Sequence, residues 1–187
     1  SICGVGAVTG YGWGQKLLWE GVTSGVPAAH PIADYAEFLP CDEAWVALVP
    51  EGGDPSDGPS RFARALRASV REAVEDAMDR GWRPGENVGL IHAVVLGEVE
   101  LWQSFFTGAG QGKIHRRFLQ LMPSLPLTGI MQEYGFHGPS MNVTAMCAGG
   151  NVALITAQQW IDSGLADDVV VVATDVSGTP EAVAAFV

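Results

Sequence analysis

The stretch GPSMNVTAMCAGGNVALITAQQWIDSGLADDVVVVATD (residues 138–175) decides the fold. Gly138-Pro139-Ser140 is a turn signal, and MNVTAM (141–146) after it is a short β-prone run. Beyond Cys147, small residues lead into an apolar helix through Asp162, carrying Val152, Ile155, Ala157 and Trp160, with Gly164 as its stop. DDVVVVAT (167–174) is then a continuous aliphatic run, the pattern of a fully buried strand. Alternating strands and helices of these lengths predict an α/β layered domain with both sheet faces covered.

Working outward, Pro126–Tyr134 reads as a helix and Gly135–Pro139 as a turn. VGLIHAVVL (88–96) is a strongly β-prone buried strand. Ser60 is placed to cap a long helix over 61–80, in which Phe62, Leu66, Val70, Val74 and Met78 recur every four residues and Gly81 ends the run. Ala44–Val49 is a strand before the loop PEGGDPSDGPS (50–60). Residues 14–22 suit a helix closed by Thr23-Ser24-Gly25, and ICGVGAV (2–8) suits a buried strand. Residues 98–120 mix aromatics with GAGQGK and give no clear element. No repeat of fixed period is present.

The totals narrow the function. Apolar residues make up 48% and charged residues 17%, a globular composition. Ten basic residues against twenty-one acidic ones leave a net charge of -11, which argues against a nucleic-acid module. The local exceptions are Arg61/Arg64/Arg67/Arg71 and Lys113/Arg116/Arg117, which read as a solvated helix face and a polar loop, with a local docking surface for an acidic partner as the alternative. Cys3, Cys41 and Cys147 are too few and too scattered for a disulfide framework or a structural metal, which suits a reducing cytoplasm. No apolar run is long enough to span a membrane, and SICGVGAVTGYGWG does not read as a signal peptide.

Gly4-Val5-Gly6 invites a dinucleotide-binding reading, but Thr9 stands where the third glycine belongs and no acidic residue closes the next strand. No GxxxxGK loop occurs. Cys147 is different. It lies at a strand-to-helix junction that resembles a nucleophile elbow, followed by Ala148, Gly149 and Gly150. Small residues admit a substrate, and a helix N-terminus favours the thiolate. Local chemistry alone leaves a buried structural cysteine equally open.

Residues 138–175 resemble the active-site region of β-ketoacyl synthases of the thiolase superfamily: Gly-Pro-Ser, a strand, the nucleophilic cysteine, small residues, a helix, Ser-Gly, an Ala-Asp pair and a hydrophobic strand. GVGAVTGYG (4–12), the helix with Trp19 and Gly21, and SGV (24–26) resemble the family's opening. Residues 123–139 resemble its helix and turn before the active-site strand. The resemblance implies a thiolase-like layered fold, N-terminal half only, with a mixed sheet flanked by helices and residues 1–187 as one N-terminal-like domain.

It also implies an acyl-transfer or condensing subunit of fatty acid or polyketide elongation, in which Cys147 takes an acyl group from an acyl carrier protein or acyl-CoA. Ala148, Gly149 and Gly150 form the helix start and oxyanion region, and no metal or organic cofactor is needed. Two departures stand out. Met146 replaces the family's alanine and borders the acyl pocket; Gly149 replaces a serine or threonine. The family's two catalytic histidines come from a C-terminal half, and His30, His92, His115 and His137 match none of its motifs, reading instead as surface or supporting residues. A homodimer, or a heteromer with a histidine-bearing half, follows. A non-catalytic partner subunit and a simple acyltransferase using Cys147 are the alternatives.

Overall fold

The computed structural model describes residues 1–32, 35, 39, 44–107, 118–176 and 178–184. They fall into two units, one of residues 1–77 with 176–187 and one of residues 78–175. Cys41, Lys113, His115, Arg116 and Arg117 lie outside the described residues.

In the first unit the opening run does not become a buried strand. Only Val8–Thr9 (β1) pairs, antiparallel to Gly12–Trp13 (β2), while Ile2 and Val5 are exposed. Residues 4–7 lie instead along a helix, Arg61–Asp79 (α2). A Cβ on Gly4 would stand 2.1 Å from the Ala73 carbonyl oxygen, and one on Gly6 2.0 Å from that of Ser69. Acidic side chains of α2 replace a partner strand. Val5 N–H donates to Asp76 (3.0 Å), and Glu72 accepts from the amides of Ala7 and Gln15 (both 2.8 Å). The glycines face the helix, so the apolar side chain between them turns outward.

Gln15–Ser24 (α1) ends at Gly25 in the left-handed region, and none of its residues is buried. His30–Ile32 (β3), unread in the sequence, pairs antiparallel with Ala44–Val46 (β4). Ser60 caps α2 as its position predicts, its Oγ accepting from Ala63 N–H at 3.0 Å. The four-residue spacing buries Phe62, Leu66, Val70 and Val74 but leaves Met78, in the last turn, exposed.

The arginines of α2 are not a solvated face. Arg61 donates to the Val49 carbonyl and Arg64 to that of Gly52; both pair with Glu51, and Arg71 pairs with the buried Asp57. Their side chains are only 22% (Arg61) and 16% (Arg64) exposed, because the loop 49–57 folds onto them.

In the second unit Val88–Ala93 (β5) is the middle of three parallel strands and is buried at every residue. Ser140–Val143 (β6) lies on one side, in register Leu90↔Ser140 to Ala93↔Val143. Asp168–Ala173 (β7) lies on the other, from Val88↔Asp168 to Ala93↔Ala173. β7 is half-buried over most of its length rather than fully buried, as befits the edge of this sheet. Val99–Thr107 (α3) fills part of the stretch without a clear signal, and Ser124–Tyr134 (α4) ends at Gly135 as predicted. Gly149–Asp162 (α5) connects β6 to β7. Ala153 and Ala157 pack with Ile91, Ala93 and Val143, and Trp160 lies against the same cluster. Pro180–Ala184 (α6) closes the described chain in the first unit.

Parallel and antiparallel pairing thus occupy separate ladders. Within the second unit, helices and parallel strands alternate as α4, β6, α5 and β7, the order the sequence predicts there.

The seat of Gly6 on α2 is directly testable. Gly6→Ala forces a Cβ into a backbone oxygen, which a helix cannot move aside, and should cost more than about 2 kcal/mol. Val5→Ala, at an exposed side chain, should cost under about 0.5 kcal/mol. Urea melts of the two variants check this; equal midpoints would show that residues 4–7 do not ride on the helix.

Candidate active site

The junction that carries Cys147 is built by the chain between β6 and α5. Ala145 leaves the strand at φ -139°, ψ 35°, and Met146–Ala148 form one 3₁₀ turn that runs straight into α5 at Gly149. Met146 has φ 48° and, among the described residues, is the non-glycine residue in the left-handed region. That conformation is held by the backbone, since the Met146 side chain is itself exposed. Ala148 N–H donates to the Ala145 carbonyl at 3.0 Å, and Gly149 N–H to that of Met146. Such strain persists only where surrounding structure imposes it, and it commonly marks a functional turn.

The turn presents Cys147 to solvent as a free thiol, so the buried structural alternative does not hold. The residues after it are small for different reasons. Gly149 is buried, with its hypothetical Cβ 3.4 Å from Ala93 Cβ; that of Gly150 would lie 4.0 Å from Ala173 Cβ. The start of α5 therefore sits against the C-terminal ends of β5 and β7, where parallel sheets commonly place ligands. Fourteen residues of helix aim their positive end at the Cys147 turn.

The structure brings Met146, Cys147, Ala148, Gly149 and Gly150 together and leaves two of the histidines elsewhere. His30 and His137 are exposed on β3 and on the turn before β6. His92 is the exception to the surface reading, because it is wholly buried in the middle of β5. Burial pushes its imidazole down to about 4, against the opposing pull of the neighbouring Asn142 side chain and of the Asp175 carboxylate. A histidine inside an apolar run, VGLIHAVVL, was the available signal. Cys3 is also an exposed free thiol, on the N-terminal segment of the other unit.

His92 makes stability pH-dependent. Its folded pKa lies below the ordinary 6.5, so the unfolded chain binds the extra proton between about pH 6.5 and 4. The contribution is complete above pH 6.5, falls as pH drops towards 4, and amounts to at most about 3 kcal/mol. Urea melts across that range should show the fall in wild type and a smaller one in His92→Gln. Equal slopes would mean His92 titrates normally.

Comparison with known proteins is consistent across sequence and structure. A curated relative in Schizosaccharomyces pombe, named "Putative 3-oxoacyl-[acyl-carrier-protein] synthase, mitochondrial", is 24% identical over 99% of this chain and 48% of its own length. The chain thus spans about half that relative. Among solved structures, a type II polyketide synthase acyl-carrier protein in complex with its ketosynthase bound to the hexaketide (AntDE:AntF) matches with TM-score 0.78 at 19% identity, covering 99% of this chain and 47% of that one. The ishigamide ketosynthase/chain length factor matches with TM-score 0.62 at 21% identity, covering 88% and 49%. These likenesses establish a thiolase-like ketosynthase fold, of which this chain is a half. The model of the β-ketoacyl synthase N-terminal domain matches residues 55–187, most of the chain, and the chain belongs to that family.

Proposed function

We propose that this chain supplies the acyl-accepting half of a condensing enzyme of fatty acid or polyketide type, with Cys147 as the nucleophile. The observation that carries the reading is the exposed thiol on a strained turn at the head of α5. In the proposed step the Cys147 sulfur attacks the carbonyl carbon of an acyl thioester carried by an acyl carrier protein or coenzyme A. A new carbon–sulfur bond forms, the old one breaks, and the cysteine proton leaves with the departing thiol. The Cys147 amide and the positive end of α5 stabilise the oxyanion, while Ala148, Gly149 and Gly150 keep the approach open. Condensation then draws on histidines from a second half, and no metal or organic cofactor takes part. Met146, exposed beside the thiol, limits the length of acyl chain accepted. The enzyme works in the cytoplasm.

Incubation with acyl thioesters of graded length, followed by intact mass measurement, tests this reading. One adduct should form, absent from Cys147→Ala, and Met146→Ala should accept longer chains. Adducts at Cys3 or Cys41 would refute the assignment, and no adduct at all would favour a non-catalytic partner subunit. An adduct without a condensation product in the presence of a second half would favour a simple acyltransferase.

The same reading gives the chain a partner surface. Val152, Leu154, Ile155 and Ile161 on α5 are between 37% and 59% exposed, whereas Trp160 turns inward over Gly89. Covering aliphatic side chains is worth up to about 1.5–3 kcal/mol each. The chain therefore associates, either with itself through residues 141–146 or with a histidine-bearing half. Sedimentation at micromolar concentration should give a dimer or larger species, and a stable folded monomer would exclude self-association.

A further inference from the structure

β5 ends at Ala93, which is paired with Val143 of β6 on one side and Ala173 of β7 on the other. Backbone bonding runs one step further on each side. Val94 N–H donates to the Val143 carbonyl at 3.0 Å, and Thr174 N–H to that of Ala93 at 3.1 Å. Beyond these, side chains take over. Thr144 Oγ1 donates to the Val94 carbonyl at 3.0 Å, and the Asp175 carboxylate accepts from Leu96 N–H at 3.0 Å. Residues 94–96 are thus held both from β6 and from β7. The turn that carries Cys147 is fixed to neighbouring residues of this one segment. It leaves at Thr144, tied to Val94, and returns at the buried Gly149, whose hypothetical Cβ stands 3.4 Å from Ala93 Cβ. Residues 145–148 must therefore go out and come back between points one strand residue, about 3.3 Å, apart. So tight a closure with both ends fixed forces an unfavourable conformation somewhere within it, and Met146 takes it at φ 48°.

We propose that the Thr144 hydroxyl is a positioning group for Cys147: by tying the departing end of the turn to Val94 it imposes the left-handed conformation on Met146 and fixes how the thiol is presented. Thr144 is exposed, so its side chain fills no core, and its hydroxyl does the holding. Asp175 braces the segment that Thr144 grips, from the opposite side. Thr144 acts through the turn, not on the acyl group. The inference rests on the assignment of Cys147 as the reactive thiol, but its test does not depend on acylation.

In a Cys3→Ser/Cys41→Ser background, Cys147 is labelled with 4,4′-dithiodipyridine under stopped flow at neutral pH, and each variant is also melted in urea. Thr144→Ser keeps the hydroxyl and should label within about two-fold of the parent. Thr144→Val keeps the shape without the hydroxyl and should change the rate more than about five-fold. The melts read the strain itself. Met146→Gly should raise the midpoint in the parent, because glycine adopts the left-handed conformation without a Cβ penalty. With Thr144→Val the turn is already relaxed, so the same substitution should give less than about half that rise. A merely structural threonine predicts additive midpoints and an unchanged labelling rate. Parental labelling in Thr144→Val, an undiminished Met146→Gly rise there, or a Thr144→Ser chain that behaves like Thr144→Val each overturns the proposal. If Thr144→Val does not fold, Thr144→Ala, which adds no bulk, decides it in its place. Should thioester loading fail while these patterns hold, the acylation reading falls and the Thr144 anchor stands.

Discussion

Val88–Ala93 is buried along its whole length, so its amides and carbonyls have no water to turn to and must be satisfied by neighbouring strands. β6 and β7 do this from either side, in parallel, and each parallel neighbour demands a crossover outside the sheet. Between β6 and β7 that crossover is α5, and the place where β6 gives way to α5 is the turn that carries Cys147. The candidate site follows from the need to pair the central strand.

The turn itself resolves two conflicting demands. The chain must leave the end of a strand and enter a helix within a few residues, yet the helix start must sit close against Ala93 and Ala173. A Cβ at 149 or 150 would meet Ala93 or Ala173 only at ordinary contact distance, and Met146 absorbs the change of direction in a conformation that methionine seldom adopts. An exposed thiol with a helix N-terminus behind it results. The face of α5 turned away from the sheet is left with aliphatic side chains in water, which a layered fold covers with another layer.

Much of the fold was legible in the sequence where one element reports on itself. The four-residue spacing in 61–79 and the Ser60 cap depend on atoms within one or two helical turns, and both are present. The stops at Gly25, Gly135 and Gly164 follow from left-handed backbone that glycine adopts without penalty. Cys147 was singled out because junction, small residues and helix lie within ten positions. The failures are non-local. The apolar run 2–8 could not announce that glutamate and aspartate of a helix some 65–71 residues away would take its amides. Nor could the α2 arginines show that a loop folds back over them.

By itself the sequence determined the β6–α5–β7 order, the long helix α2 with its cap and the strand-to-helix junction at which Cys147 stands, because these rest on side-chain period, capping and turn preference over short spans. The tertiary structure alone decided that β5 is central and β7 an edge, that the Cys147 thiol faces solvent, that Met146 bears the strain and that His92 is buried against Asn142. Strand order and register are fixed by pairing between residues up to 80 positions apart, and no local pattern encodes which partner a strand will take.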